Sequence, residues 1–144
     1  MPLTVRDATL ADADRLAALI TELDYPTTAD QMTARLARIL ADGDYGTFVA
    51  CAGATIAGMI GTRTGPLYEF DEPYGQIMVL VVAHGHRRTG TGALLLGAAE
   101  ARFAERGVRF AVVTSANRRA DAHAFYEKHG YAFDGRRYKK SLIG

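Results

Sequence analysis

Arg87-Arg88-Thr89-Gly90-Thr91-Gly92 has the residue types of an anion seat. It directly follows the apolar run Ile77–Ala83, which reads as a strand, and it opens an alanine- and leucine-rich segment of helical character. At a strand-to-helix turn the first N–H groups of the helix lack intrahelical partners and the dipole is positive, while glycine lets a ligand come close to the backbone. Two adjacent arginines add charge-assisted contacts to such a ligand. The chemistry implied is phosphate binding, and the plain alternative is a basic turn capped by glycines. Two phosphate motifs fail on spacing. Gly85 and Gly90 fit the glycines of a P-loop, but Thr91 and Gly92 stand where Lys and Ser/Thr are required. A dinucleotide fingerprint fails because its third glycine, Gly97, comes five positions after Gly92 instead of three.

Other residues with chemical potential are more scattered. Tyr126 lies in a short helical segment, where a lone aromatic is ordinarily core. Glu69, Asp71 and Glu72 make an acidic loop suited to drawing in a cation. His84 and His86 flank the glycine turn, so phosphate contact or exposure suits them, and His123 reads as a surface residue. The single cysteine, Cys51, falls in an apolar strand and reads as a small core residue. No His/Cys grouping has metal-site spacing, so no metal is expected.

These residues must be held by a framework that the periodicity lays out. Thr4–Ala8 reads as a first strand, and Thr9 with Asp12 resembles a capping box ahead of a helix bearing Leu16, Leu19, Ile20 and Leu23. Asp24-Tyr25-Pro26 breaks that helix, and Ala29–Leu40 forms a second one. Thr47–Cys51 and Thr55–Thr62 pair as a hairpin across Ala52-Gly53-Ala54. Gly75–Val82 is a fourth strand, a helix runs from about Gly90 to Arg106, and Arg109–Thr114 is a fifth strand. Asp121–His129 is a last helix with Gly130 as its left-handed cap, followed by two strands, Tyr131–Phe133 and Arg137–Leu142. The pattern is one α/β domain over residues 1–144 with mixed strand pairing and no repeat or linker.

Composition limits the setting. With 144 residues, 49% hydrophobic and 23% charged, the chain supports one substantial core. No run is long enough to span a membrane and no signal-peptide pattern opens the chain, so a cytoplasmic protein is expected. Charge is uneven: residues 1–85 hold 5 Lys/Arg and 11 Asp/Glu, a net of −6, whereas residues 86–144 hold 12 and 5, a net of +7. A polyanionic ligand suits the second half and a cationic one the first, and solvated faces are the plain alternative. The basic residues do not run together with aromatics, which argues against nucleic acid.

The element order resembles the GNAT superfamily of acyl-CoA-dependent N-acetyltransferases over essentially the whole chain. Two motifs carry the resemblance: Arg87-x-x-Gly90-x-Gly92, similar to the family's Q/R-x-x-G-x-G/A element, and Ala122-His123-Ala124-Phe125-Tyr126-Glu127-Lys128-His129-Gly130-Tyr131, similar to its A-x-x-[LF]-Y-x-x-x-G-[FY] helix. The resemblance implies a mostly antiparallel sheet of about seven strands flanked by four helices, with the fourth and fifth strands splayed. It implies acetyl-CoA as cosubstrate, with Arg87, Arg88, Thr89, Gly90, Thr91 and Gly92 at its pyrophosphate. The Leu80 N–H would meet the thioester carbonyl, Val82 would hold the pantetheine, and Tyr126 would protonate the leaving thiolate. Two departures stand out. Arg119 occupies the position of a frequent CoA-contacting Asn, with Asn117 two residues earlier as a substitute, and Gln76 stands where several members carry a catalytic Glu. Glu72 is therefore the candidate base, directly or through water, and Arg118 and Arg119 are candidate phosphate contacts. The implied reaction is acetyl transfer to a primary amine, favouring a cationic small molecule or peptide, by direct attack. A CoA-binding sensor without turnover and a nucleotide-binding regulator are the alternatives, and the last strands could support a homodimer.

Overall fold

Strands β1 (Leu3–Asp7), β2 (Tyr45–Ala52), β3 (Thr55–Gly65), β4 (Tyr74–Val82) and β5 (Phe110–Val113) form one sheet in that spatial order. The computed structural model describes residues 2–114, 120–135 and 137–144. The first four strands pair antiparallel, and β5 lies parallel to β4. Four helices flank the sheet: α1 (Ala13–Glu22), α2 (Ala29–Leu40), α3 (Thr91–Glu105) and α4 (Ala120–Lys128).

Local chemistry sets most boundaries. The Thr9 N–H donates to Asp12 Oδ2 at 2.8 Å, closing the turn that leads into α1. Thr28 and Gln31 make the same reciprocal closure for α2, at 2.9 and 3.1 Å. Each helix then buries one face. Leu16, Leu19, Met32 and Leu36 of α1 and α2 pack on Val49, Met59 and Val81 of the sheet. On the opposite face Leu95, Leu96, Ala99 and Phe103 of α3 pack on Phe48, Ile60 and Ile77, with Phe125 of α4 against the same cluster.

Strand β4 departs from a regular ladder in two ways. First, Gly61 pairs with Val79 but Thr62 pairs with Ile77, so Met78 is an extra residue, a bulge. The bulge reverses the alternation: Ile77 and Leu80 both face α3, while Val79 faces α1 and α2. Second, β5 pairs with β4 only from Tyr74↔Phe110 to Ile77↔Val113, so β4 runs on for five residues, to Val82, beyond that ladder.

The expected count of about seven strands is corrected to five among the described residues. Tyr131–Phe133 carries no strand pairing, and neither do the described residues of Arg137–Leu142. Alternating apolar residues there do not make a ladder on their own, because a strand exists only where its N–H and C=O groups find a partner. Phe133, Tyr138 and Leu142 are instead strongly exposed.

Candidate active site

The open stretch of β4 offers hydrogen-bond donors. The Ala83 N–H bonds the Ala57 carbonyl of β3 at 2.8 Å, so by strand alternation Val81 also faces β3, and Leu80 and Val82 direct their N–H groups to the other edge. β5 has ended there, leaving those amides a free edge. The Val82 carbonyl, on that same edge, accepts from Arg87 Nε at 3.5 Å.

The turn after β4 is a short helical turn, His84–His86, followed by Arg87 in extended conformation. Arg88 (φ 64°) and Gly90 (φ 84°) both adopt left-handed geometry, which brings successive N–H groups into a concavity. Leu94 donates to the Gly90 carbonyl at 3.0 Å, so Thr91, Gly92 and Ala93 precede the first intrahelical donor and keep the orphan N–H groups of a helix start. A Cβ at Gly90 would meet nothing within 4 Å, so the turn faces open space. Thr89 Oγ1 hydrogen-bonds the His86 carbonyl and lies 2.7 Å from Thr91 Oγ1, tying the turn to a fully buried residue. A long-range tie holds the other side: the His84 N–H donates to Glu22 Oε1 at 3.0 Å, a residue that no local signal marks. An N–H-lined, arginine-flanked turn of this kind fits a diphosphate.

The two sequence motifs meet in space. A Cβ at Gly92 would lie 3.3 Å from Phe125 Cε1 and 3.7 Å from Val82 Cγ2, so α4 seats its Phe125 ring on the start of α3 beside the free edge of β4. Tyr126 follows on α4, edge-on to Phe125 (5.4 Å, 77°) and Tyr131 (5.8 Å, 67°). Burial pushes the Tyr126 phenol above its ordinary value, so it stays protonated through neutral and mildly alkaline pH. Tyr131 is pushed up too, by burial and by its 2.9 Å hydrogen bond to Glu100 Oε2. Tyr126, His123, Val113, Thr114 and Tyr131 line a cavity of about 500 Å³ at the C-terminal end of β5.

Glu72 lies at the other end of the β4–β5 pair. Its Oε1 accepts from Arg109 Nη1 at 2.6 Å, and the Arg109 guanidinium stacks on the Phe70 ring at 3.7 Å. Glu69, Asp71 and Glu72 share a second cavity of about 390 Å³. Cys51 is buried in the core beneath α1 and α2. Asn117, Arg118 and Arg119 lie outside the described residues. Among the described residues no group of His, Cys, Asp and Glu is arranged to hold a metal ion, and no helix is long and apolar enough to cross a membrane.

The sequence pattern of the acetyltransferase (GNAT) family matches residues 13–131. The chain belongs to the GNAT acetyltransferase family. A GNAT relative, aminoalkylphosphonate N-acetyltransferase of Salmonella typhimurium, is 30% identical over 143 residues, covering 96% of this chain and 90% of that protein. Two solved structures share the fold. A GNAT family acetyltransferase of Staphylococcus aureus aligns with a TM-score of 0.85 at 24% identity, covering 99% of this chain and all of that one. A protein of Bacillus halodurans described as a transcriptional regulator aligns with a TM-score of 0.89 at 23% identity over 98% of this chain and all of that one. As a GNAT member the chain is an acyltransferase enzyme that transfers acetyl groups, and acetyl-CoA is the family's cosubstrate.

Proposed function

We propose that this enzyme moves an acetyl group from acetyl-CoA to a primary amine of a small molecule or peptide, by direct attack in a ternary complex. One observation carries the reading: the N–H-rich turn, the free amides of Leu80 and Val82 and the Tyr126 helix converge through the Gly92–Phe125 contact. Arg87, Arg88 and the turn from Thr89 to Gly92 hold the pyrophosphate, Val82 bonds the pantetheine arm, and Asn117 is retained as a contact to that arm.

The neutral amine forms its C–N bond at the thioester carbonyl, whose π electrons move to oxygen. The Leu80 N–H stabilises that oxyanion, a kind of donor whose removal elsewhere costs about 3 kcal/mol. Collapse of the intermediate breaks the C–S bond. Tyr126 then gives its proton to the thiolate, whose own basicity rises in the same poorly solvated site. The proton lost by the amine goes to Glu72. Tyr74, next to that loop, is five β3 residues from Leu80 by register, about 17 Å of strand, so this transfer runs through water. Glu69 and Asp71 draw the ammonium form of the acceptor inwards. The Salmonella relative's name specifies an aminoalkylphosphonate acceptor, which supports a small-molecule amine here. A cytoplasmic setting and a homodimer complete the proposal.

Tyr126→Phe keeps the ring contacts and removes the proton. Steady-state thiol release should show kcat reduced about 100-fold with acetyl-CoA affinity near wild type, and a wild-type kcat would remove Tyr126 from the mechanism. Glu72→Gln should lower kcat/KM about 10-fold or more with acetyl-CoA affinity near wild type. An unaltered kcat/KM would leave Glu72 without a role as base.

A further inference from the structure

Arg63 occupies an unusual place for an arginine. The register aligns Tyr45 of β2, Arg63 of β3, Gln76 of β4 and Val112 of β5 in one row across four strands. Directly opposed residues share a face, and this row shares its face with Val49 and Met59, further along β2 and β3. There α1 and α2 cover the sheet, whereas the row itself is only half-buried and Val112 is exposed. Arg63 therefore stands mid-sheet on the uncovered part of the face.

Its surroundings position the guanidinium without neutralising it. Arg63 Nη1 donates to the Tyr74 hydroxyl at 2.8 Å, and the guanidinium lies 5.7 Å from the Tyr45 ring centroid. Among the described residues no Asp or Glu pairs with it, although Arg6, Arg102 and Arg109 all have such partners. Gly65 makes room for the arrangement, since a Cβ there would lie 2.9 Å from Tyr74 Cε1. A phenol oxygen that accepts from Arg63 keeps its own O–H to donate. A partly desolvated guanidinium with no counter-charge is costly to hold unless an anion completes it.

Resting on the proposed acetyl transfer, we infer that Arg63 and Tyr74 form an anion subsite for the acceptor, which is a short amine carrying a phosphonate, phosphate or carboxylate. Arg63 lies three β3 residues from Ile60, the partner of Leu80, about 10 Å along the strand. That separation suits a short aminoalkyl acceptor held at one end by Arg63. Arg63 fixes the anionic end, which leaves the amine end directed along the sheet towards Leu80.

The test compares 2-aminoethylphosphonate, propylamine and 1,3-diaminopropane as acceptors, by thiol release at saturating acetyl-CoA. Wild type should favour the phosphonate in kcat/KM. Arg63→Gln should collapse that preference about 10- to 100-fold at an unchanged melting temperature, and Arg63→Lys should restore part of it. Equal use of the three amines by wild type would overturn the subsite while leaving acetyl transfer intact, and so would a preference that survives in Arg63→Gln. If no amine is acetylated, it is the transfer reading that fails. Calorimetric titration of 2-aminoethylphosphonate into the CoA-loaded protein then decides the subsite alone: binding lost in Arg63→Gln supports it, and absent or equal binding overturns it.

Discussion

Asp12 is held by three hydrogen bonds among the described residues. Arg6 donates to both of its oxygens at 2.9 Å and the Thr9 N–H adds a third bond at 2.8 Å, with Asp12 buried and Arg6 half-exposed. The Arg6 hydrogen bonds, aided by the one from Thr9, hold the Asp12 carboxyl below the usual carboxylate range. A depressed folded-state value gives stability that is present above about pH 4, the unfolded value, and is lost as pH falls through the folded one. Wild type should therefore lose denaturation free energy below about pH 4. Asp12→Asn should be less stable at pH 7, by about 1 kcal/mol after allowing for the solvated Arg6, and should show a flatter acid limb. Denaturant melts at stepped pH would check this, and parallel acid limbs would refute it. The Thr9–Asp12 pair was legible as a cap from its spacing. Arg6 was not, because its approach depends on where β1 is laid relative to the turn.

Among the elements, the packing of α4 on α3 joins the glycine turn proposed to hold the cofactor to Tyr126, the proposed proton donor. A Cβ at Gly92 already lies 3.3 Å from the Phe125 ring, so the branched side chain of Gly92→Val must displace it. The expected result is a loss of about 1–3 kcal/mol together with weakened acetyl-CoA binding, read by thermal melts and titration calorimetry. Gly97→Ala on the same helix is the contrast. Its Cβ would meet nothing within 4 Å, so it should gain about 0.5–1 kcal/mol from helix propensity alone. Comparable losses in both variants would mean that α3 is sensitive to any substitution and that the Phe125 contact is not special. The β4 bulge acts at this scale too. By inserting one residue it reverses side chains and amides alike, so that Leu80 joins Ile77 on one face and Leu80 and Val82 direct their N–H groups to the free edge.

At the scale of the whole molecule, two features are left open together. The outer edge of β5 has no strand partner among the described residues, and Phe133, Tyr138, Leu142 and Ile143 are each at least 85% exposed. An unpaired strand edge and exposed apolar side chains suit pairing with a second copy, as in the proposed homodimer. Sedimentation equilibrium should thus report about twice the 15.5 kDa chain mass, and Phe133→Asp combined with Leu142→Asp should shift the protein towards monomer. A monomeric wild type at high micromolar concentration would dismiss the homodimer.

The sequence by itself determined the helices and strands through β5 to within a few residues, the glycine turn, the cap residues and the GNAT family membership. Those features rest on interactions within a few residues, such as an N-cap or a left-handed glycine, or on a motif whose parts are contiguous. Only the tertiary structure decided that Gly92 and Phe125 touch, that Glu72 is bound to Arg109 at 2.6 Å from 37 positions away, and that Arg63 stands in a cross-strand row with no carboxylate partner among the described residues. It also decided that the described segments after Gly130 join no sheet, since alternation gives a strand its faces and only a neighbouring backbone gives it hydrogen bonds. Local patterns encode what a segment can become, and long-range packing chooses its partners.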